Sequence, residues 1–205
     1  MAGGEQEAPL RSGEVTHERT TRYAALLRGI NVGGKNLISM PALKACFEAQ
    51  GFTDVVTYIQ SGNVVFTARE RSSAVVAQVE SELSKTFGYA ASVVLRSRQQ
   101  LRKVVDEAPA GFGVRPALYR YDVVFLKDPL SASEVLESVA TKPGVDRVFA
   151  GSGVLYFSRL IEKASQSHLP RLVSMPSYKK MTIRNWNTTT RLLEIMDARG
   201  SRVGR

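Results

Sequence analysis

The amino-acid sequence predicts an α+β protein made of two ferredoxin-like lobes with antiparallel sheets, plus a C-terminal helix. Three observations carry that prediction. Residues 22–96 alternate short apolar runs with helical periodicity in the order β-α-β-β-α-β. A stretch rich in Gly and Pro at 110–118 interrupts the pattern. A similar order then starts again at Tyr119 without obvious sequence repetition.

Arg22–Arg28 is the first strand, and both of its alternating faces are largely apolar, so it should be central and covered on both sides. Ser39 and Pro41 mark a helix start, with Met40, Leu43 and Phe47 as its buried stripe and Gly51 as its stop. Asp54–Gln60 and Val64–Thr67 are strands around the turn Ser61-Gly62-Asn63. Ser72–Phe87 is a helix with Val75, Val79 and Leu83 on one face, ended by Gly88. Ala91–Arg96 is the next strand, and Gln99–Glu107 a short helix ahead of Pro109.

In the second lobe Tyr121–Lys127 is a strand and Ser131–Ala140 a helix. Val145–Ala150 and Val154–Ser158 form a hairpin around Gly151-Ser152-Gly153, and Leu160–Val173 is expected as a helix interrupted at Pro170. The final helix is expected directly after Thr182, with Ile183, Trp186, Thr190 and Leu193 facing inward and Arg184, Asn187 and Arg191 on the opposite side. The expected organisation is an unstructured arm at 1–21, lobes at 22–109 and 119–198, and a basic tail at 199–205.

The net charge is +9, and the acidic arm and basic tail cancel, so the body keeps all of it. Such a body favours an anionic small molecule or a nucleic-acid phosphate backbone as partner. No apolar run approaches the roughly 20 residues of a membrane helix. The single cysteine excludes an internal disulfide framework, which fits a cytoplasmic location. The oligomeric state is left open.

Two glycine turns stand out. Gly29–Asn36 follows the first strand and Gln60–Asn63 the second, and right-handed crossover places both on one rim of the sheet. Gly29-x4-Gly34-Lys35 matches most of a phosphate-binding loop, but Asn36 replaces the magnesium-ligating hydroxyl and the helix starts late, which argues against a nucleotide triphosphatase. An RNA-recognition platform needs aromatics on strands one and three, and these strands supply only Tyr23 and Phe66. His17 and His168 are the only histidines, so no zinc set assembles, and no cofactor is expected. Cys46 sits beside an apolar stripe and reads as a small core residue.

Three segments are familiar in this order: Leu26-Leu27-Arg28-Gly29-Ile30-Asn31-Val32-Gly33-Gly34-Lys35-Asn36, Thr57-Tyr58-Ile59-Gln60-Ser61-Gly62-Asn63-Val64, and Thr182-Ile183-Arg184-Asn185-Trp186-Asn187-Thr188. They resemble the bacterial domain of unknown function family 1697, over roughly Arg22–Met196. The resemblance implies a two-lobed α+β fold and names no activity.

The expected function is binding of an anionic ligand in a basic cleft between the lobes. Arg28, Lys35 and Arg184 would supply charge there, and Asn31, Asn36, Gln60, Ser61, Asn63, Asn185 and Asn187 would orient the ligand. Two alternatives stand beside it. One is a small enzyme, a transferase or hydrolase acting on such a ligand, and the other a protein-interaction module. For Asn185 the competing role is helix capping.

Overall fold

Eight strands form two antiparallel sheets of identical connectivity in the computed structural model, which describes residues 20–34 and 36–198. The arm up to residue 19, Lys35 and the tail 199–205 lie outside the described residues. In the first lobe β1 (Thr21–Leu27), β2 (Thr53–Tyr58), β3 (Asn63–Ala68) and β4 (Val93–Ser97) are ordered β2-β3-β1-β4. In the second, β5 (Tyr119–Leu126), β6 (Asp146–Gly151), β7 (Val154–Leu160) and β8 (Met181–Asn185) are ordered β6-β7-β5-β8. The lobes are therefore a structural duplication, and both are ferredoxin-like.

Local chemistry sets the helices. In α1 (Met40–Glu48) the Ser39 hydroxyl accepts the Ala42 N–H at 3.2 Å and satisfies a free donor of the first turn. Helix α2 (Ser72–Phe87) ends where Gly88 takes the left-handed region, at φ 67°. Helix α3 (Arg98–Asp106) opens on a reciprocal capping box between Ser97 and Gln100. The remaining helices are α4 (Ala132–Ser138), α5 (Leu169–Val173) and α6 (Trp186–Ala198).

The strand pattern explains the layering. On β1, Ala25 and Leu27 face outward into a core with Leu43 and Phe47 of α1 and Val75, Val79 and Leu83 of α2. Ala24 and Leu26 face inward, and with Val65 and Val94 they pack on Val123, Phe125, Val154 and Tyr156 of the second sheet. Helices α3 and α6 complete this inner layer through Leu101, Val104, Leu192 and Met196. The outer face of the second sheet is covered by Val135 of α4 and Leu169 and Leu172 of α5. Each fully buried Leu, Val or Phe is worth about 1.5–3 kcal/mol relative to exposure. The inner layer thus makes each sheet depend on the other for a covered face.

Two sequence expectations are corrected. Thr182–Asn185 is not helical: it is part of β8, paired with β5 from Met181↔Leu126 to Asn185↔Asp122. Thr182 and Ile183 are β-branched and suit a strand, and the helix begins only after Asn185, whose Oδ1 accepts the Thr188 N–H at 2.8 Å. Its buried side is Thr188, Thr189, Leu192, Leu193 and Met196, while Trp186 and Thr190 are half-buried. The helix expected over Leu160–Val173 is likewise replaced. Strand β7 runs through Leu160, a 3-10 turn follows at Ile161–Gln166, and Pro170 sits in the first turn of α5 instead of interrupting a longer helix. No helix among the described residues is long and apolar enough to cross a membrane.

Candidate functional site

The loop after β1 and the hairpin between β2 and β3 meet on one rim, but their polar side chains are used to hold the backbone. Asn31 donates through Nδ2 to Ile38 O and Gln60 O, both at 2.9 Å, and its Oδ1 accepts the Ile38 N–H. Asn36 Nδ2 donates to Gly29 O at 2.8 Å. Asn63 is fully buried and donates to Tyr58 O and to the Ser61 hydroxyl. Arg28 lies over the Tyr178 ring, 4.9 Å from its centre, and its Nε is buried without a hydrogen-bond partner. Lys35 is outside the described residues.

Arg184 is not a free cation at this rim. It is 7 % exposed, and its guanidinium donates to Asn63 Oδ1 (2.5 Å), Leu27 O (2.7 Å), Ser61 O (3.0 Å) and Gly62 O (3.2 Å) of the first lobe. It also donates to Thr182 Oγ1 and Ile183 O within its own strand. Burial pulls its pKa down to about 10, with the Tyr178 phenol opposing, so it stays charged at neutral pH. Gly62 lets the hairpin close onto the first strand: at φ 78°, a Cβ there would meet Ile30 Cδ1 at 2.6 Å and Leu27 Cβ at 2.9 Å.

The contact is reciprocated. Arg96, one residue before the cap of α3, donates to Leu126 O (2.7 Å) and Gly153 O (2.8 Å) of the second lobe. Arg184 stands one residue before the cap of α6 and reaches the matching carbonyls, Leu27 and Gly62. In each lobe the end of the first strand is tied to the hairpin glycine, Leu27 N to Gly62 O and Leu126 N to Gly153 O. The two arginines are a crossed pair of inter-lobe latches. Sequence reasoning missed Arg96 in this role, although an arginine just before a polar helix cap in both lobes was a legible signal.

Open space lies elsewhere. A cavity of about 570 Å³ sits between the lobes, bordered by β4, α2, α3 and the β6–β7 hairpin, with Arg96, Lys103 and Lys127 among its walls. Its cations are matched: Lys127 pairs with Glu80, Lys103 lies 3.5 Å from Glu107, and Asp128 acts on Arg96. A second cavity, of about 420 Å³, opens in the second lobe beside the linker. Its walls carry Tyr119, Arg120 and Tyr121 of β5, Arg159 of β7, and Trp186 and Asn187 at the start of α6. Asn185 borders it too, and of the sequence-predicted residues only Asn185 and Asn187 do so.

The second cavity exists because β8 is short. Strand β8 stops at Asn185, opposite Asp122, so Tyr119–Tyr121 have β7 on one side and no strand on the other. Arg120 and Arg159 are direct cross-strand partners, a like-charge placement that costs stability unless something compensates. Arg159 has a side chain only 20 % exposed, yet neither arginine makes a hydrogen bond to any described residue, and Arg159 Nε is buried without a partner. The nearest acid, Asp122, lies 3.7 Å from Arg159, beyond hydrogen-bond length. Burial pushes the Asp122 carboxyl up, while Arg159 and Arg120 pull it down.

Trp186 is braced from behind. The Phe112 ring meets it edge-on at 5.2 Å and 89°, and Gly113, at φ 83°, passes so close that a Cβ would lie 2.4 Å from the indole Nε1. Elsewhere, Cys46 is buried and burial pushes its thiol up, which disfavours a thiolate nucleophile. Among the described residues no group of three His, Cys, Asp or Glu side chains is placed to hold a metal ion.

Fold and site together define a two-lobed α+β protein with ferredoxin-like halves, cross-latched by arginines, with an arginine-bearing aromatic cavity in its second half. The chain belongs to the family described as protein of unknown function DUF1697, which matches residues 20–156. That match includes the first two motifs and stops short of the third, at 182–188. The fold is similar to the solved structure of a conserved bacterial protein from Streptococcus pneumoniae, at 28% identity and a TM-score of 0.77, covering 87% of this chain and 99% of that one. Among curated proteins, none matches this chain.

Proposed function

We propose that this protein binds an anionic small molecule, and that the site is the cavity beside β5 in the second lobe. The supporting observation is the pair Arg120 and Arg159, directly opposed across neighbouring strands and free of hydrogen bonds to described residues. The two guanidinium groups repel each other across the strand pair, and Asp122, 3.7 Å from Arg159, offsets this only in part. An anion between them turns that repulsion into charge-assisted, fork-shaped hydrogen bonds. The inter-lobe cavity is the weaker candidate because Lys127 is closely paired with Glu80 and Arg96 is spent on the Leu126 and Gly153 carbonyls.

Thermal unfolding in inorganic phosphate tests this against potassium chloride at equal ionic strength. Phosphate should raise Tm with the concentration dependence of a saturable ligand, and Arg159→Gln should remove the effect. Equal Tm in the two salts would refute it. Arg159→Gln alone, without phosphate, should be slightly destabilising, since relief of the repulsion from Arg120 is outweighed by loss of the cation beside the buried Asp122 carboxyl.

A further inference from the structure

We infer that the anion taken by the Arg120–Arg159 cavity is carried on a flat heteroaromatic ring, as in a nucleoside monophosphate; this rests on the anion-binding proposal above. Size comes first. About 420 Å³ lies in the range of roughly 300–1,000 Å³ that holds organic ligands. A bare oxyanion amounts to a few waters of about 30 Å³ each and would leave most of the cavity unfilled.

The division of the walls comes second. Tyr119 and Tyr121 alternate with Arg120 along β5, so the cavity carries the two arginines on one face of the sheet and the tyrosines and Trp186 on the other, around the strandless edge of β5. Such a site has a charged end and an apolar body. Trp186 is pre-positioned by Phe112 and Gly113, so little ordering entropy is lost when a ring comes against it.

The third point is the polar edge. The Asn187 amide makes no side-chain hydrogen bond to a described residue, and it borders the cavity next to the strandless side of Tyr119–Tyr121. Backbone groups and a free amide at one wall suit the donors and acceptors on the edge of a nucleobase. A plain aryl ring would leave them unanswered.

Trp186 is the only tryptophan, so its emission reports on this cavity without interference. The folded full-length chain is titrated in turn with adenosine monophosphate, ribose 5-phosphate and adenosine. The expected result is saturable quenching by the nucleotide, at least tenfold tighter than by ribose 5-phosphate, and weakened tenfold or more in Arg159→Gln. Arg120→Gln, at an exposed position on β5, repeats the test without risk to folding. Equal affinity for nucleotide and ribose 5-phosphate would overturn the ring assignment and leave the anion site standing. No response to either phosphate at millimolar concentration would overturn both, and adenosine binding as tightly as its monophosphate would overturn the role of the arginines.

Discussion

Replacing Arg184 by Met should cost this protein a large part of its stability, because the side chain is buried between the lobes. Met keeps an unbranched apolar stem and removes all six donated hydrogen bonds, four of them across the lobe boundary. Gly62 O keeps the Leu27 N–H, at 2.8 Å. Asn63 Oδ1, on a fully buried side chain, loses its only donor among the described residues. An orphaned buried acceptor costs about 1–3 kcal/mol, and a hydrogen bond from a charged group such as that to Leu27 O contributes about 1.5–3 kcal/mol. The sum is in line with the roughly 3–5 kcal/mol lost on breaking a buried polar pair from one side.

At this chain length about 2–4 °C of Tm accompanies each kcal/mol, so the expected fall is about 6–20 °C. Arg184→Lys should recover little, because one ammonium cannot reproduce a fork that serves Asn63, Leu27 and Ser61 together. The double variant Arg184→Met with Asn63→Leu should be more stable than Arg184→Met alone, since both polar partners then leave the interior. Arg96→Met should behave like Arg184→Met, as its contacts to Leu126 O and Gly153 O are the counterpart set. Urea denaturation followed by far-UV circular dichroism measures all four. A loss under about 1 kcal/mol for Arg184→Met would refute the latch, as would a double variant no better than the single.

Three further outcomes are expected. Ile59 holds a β-branched side chain at φ 47° and is 47% exposed, so Ile59→Asn, better suited to the left-handed region, should gain about 0.5–1 kcal/mol; an unchanged or lower Tm would contradict it. Gly113→Ala should destabilise by about 2 kcal/mol and shift Trp186 emission, because the new methyl must displace the indole and a left-handed Ala is strained; intact emission with normal stability would show that the brace is not needed. For Asp197, burial raises the carboxyl pKa, but hydrogen bonds from Arg98 (2.7 Å) and Arg102 (2.6 Å) and their charges outweigh it and leave the net shift downward. Its contribution is therefore present above the unfolded carboxylate pKa and lost as pH falls through the lowered one. Asp197→Asn should cost about 1 kcal/mol at neutral pH, a modest value because the groups are partly exposed, and nothing below that window.

How far the sequence could be read depended on which residues were in charge of each element. The duplicated order was visible because β1, α1, α2 and both hairpins rest on local signals: apolar alternation, Ser39 and Ser131 as caps, Gly88 as a stop, glycine turns. Thr182–Asn185 was misread because the five residues of β8 are too few to show a period, and Trp186 and Leu193 completed a helical stripe across them. Only the demand of β5 for a partner on its free side settles that segment as a strand. The rim residues take on a different role in three dimensions for a related reason. Asn31, Asn36, Asn63 and Arg184 have the composition of a ligand-binding rim, but a tight turn with left-handed residues and a buried inter-lobe joint needs the same amides and the same guanidinium. Which use wins is decided by burial and by donors counted against acceptors, and neither is a property of the sequence alone. The opposite holds for Arg120 and Arg159. They lie 39 positions apart in segments that attract no notice, and they become conspicuous only when the β5–β7 register sets them face to face without a hydrogen-bond partner among the described residues. A polar residue explained by its neighbours belongs to the architecture, and one left unexplained in a cavity is where function should be sought first.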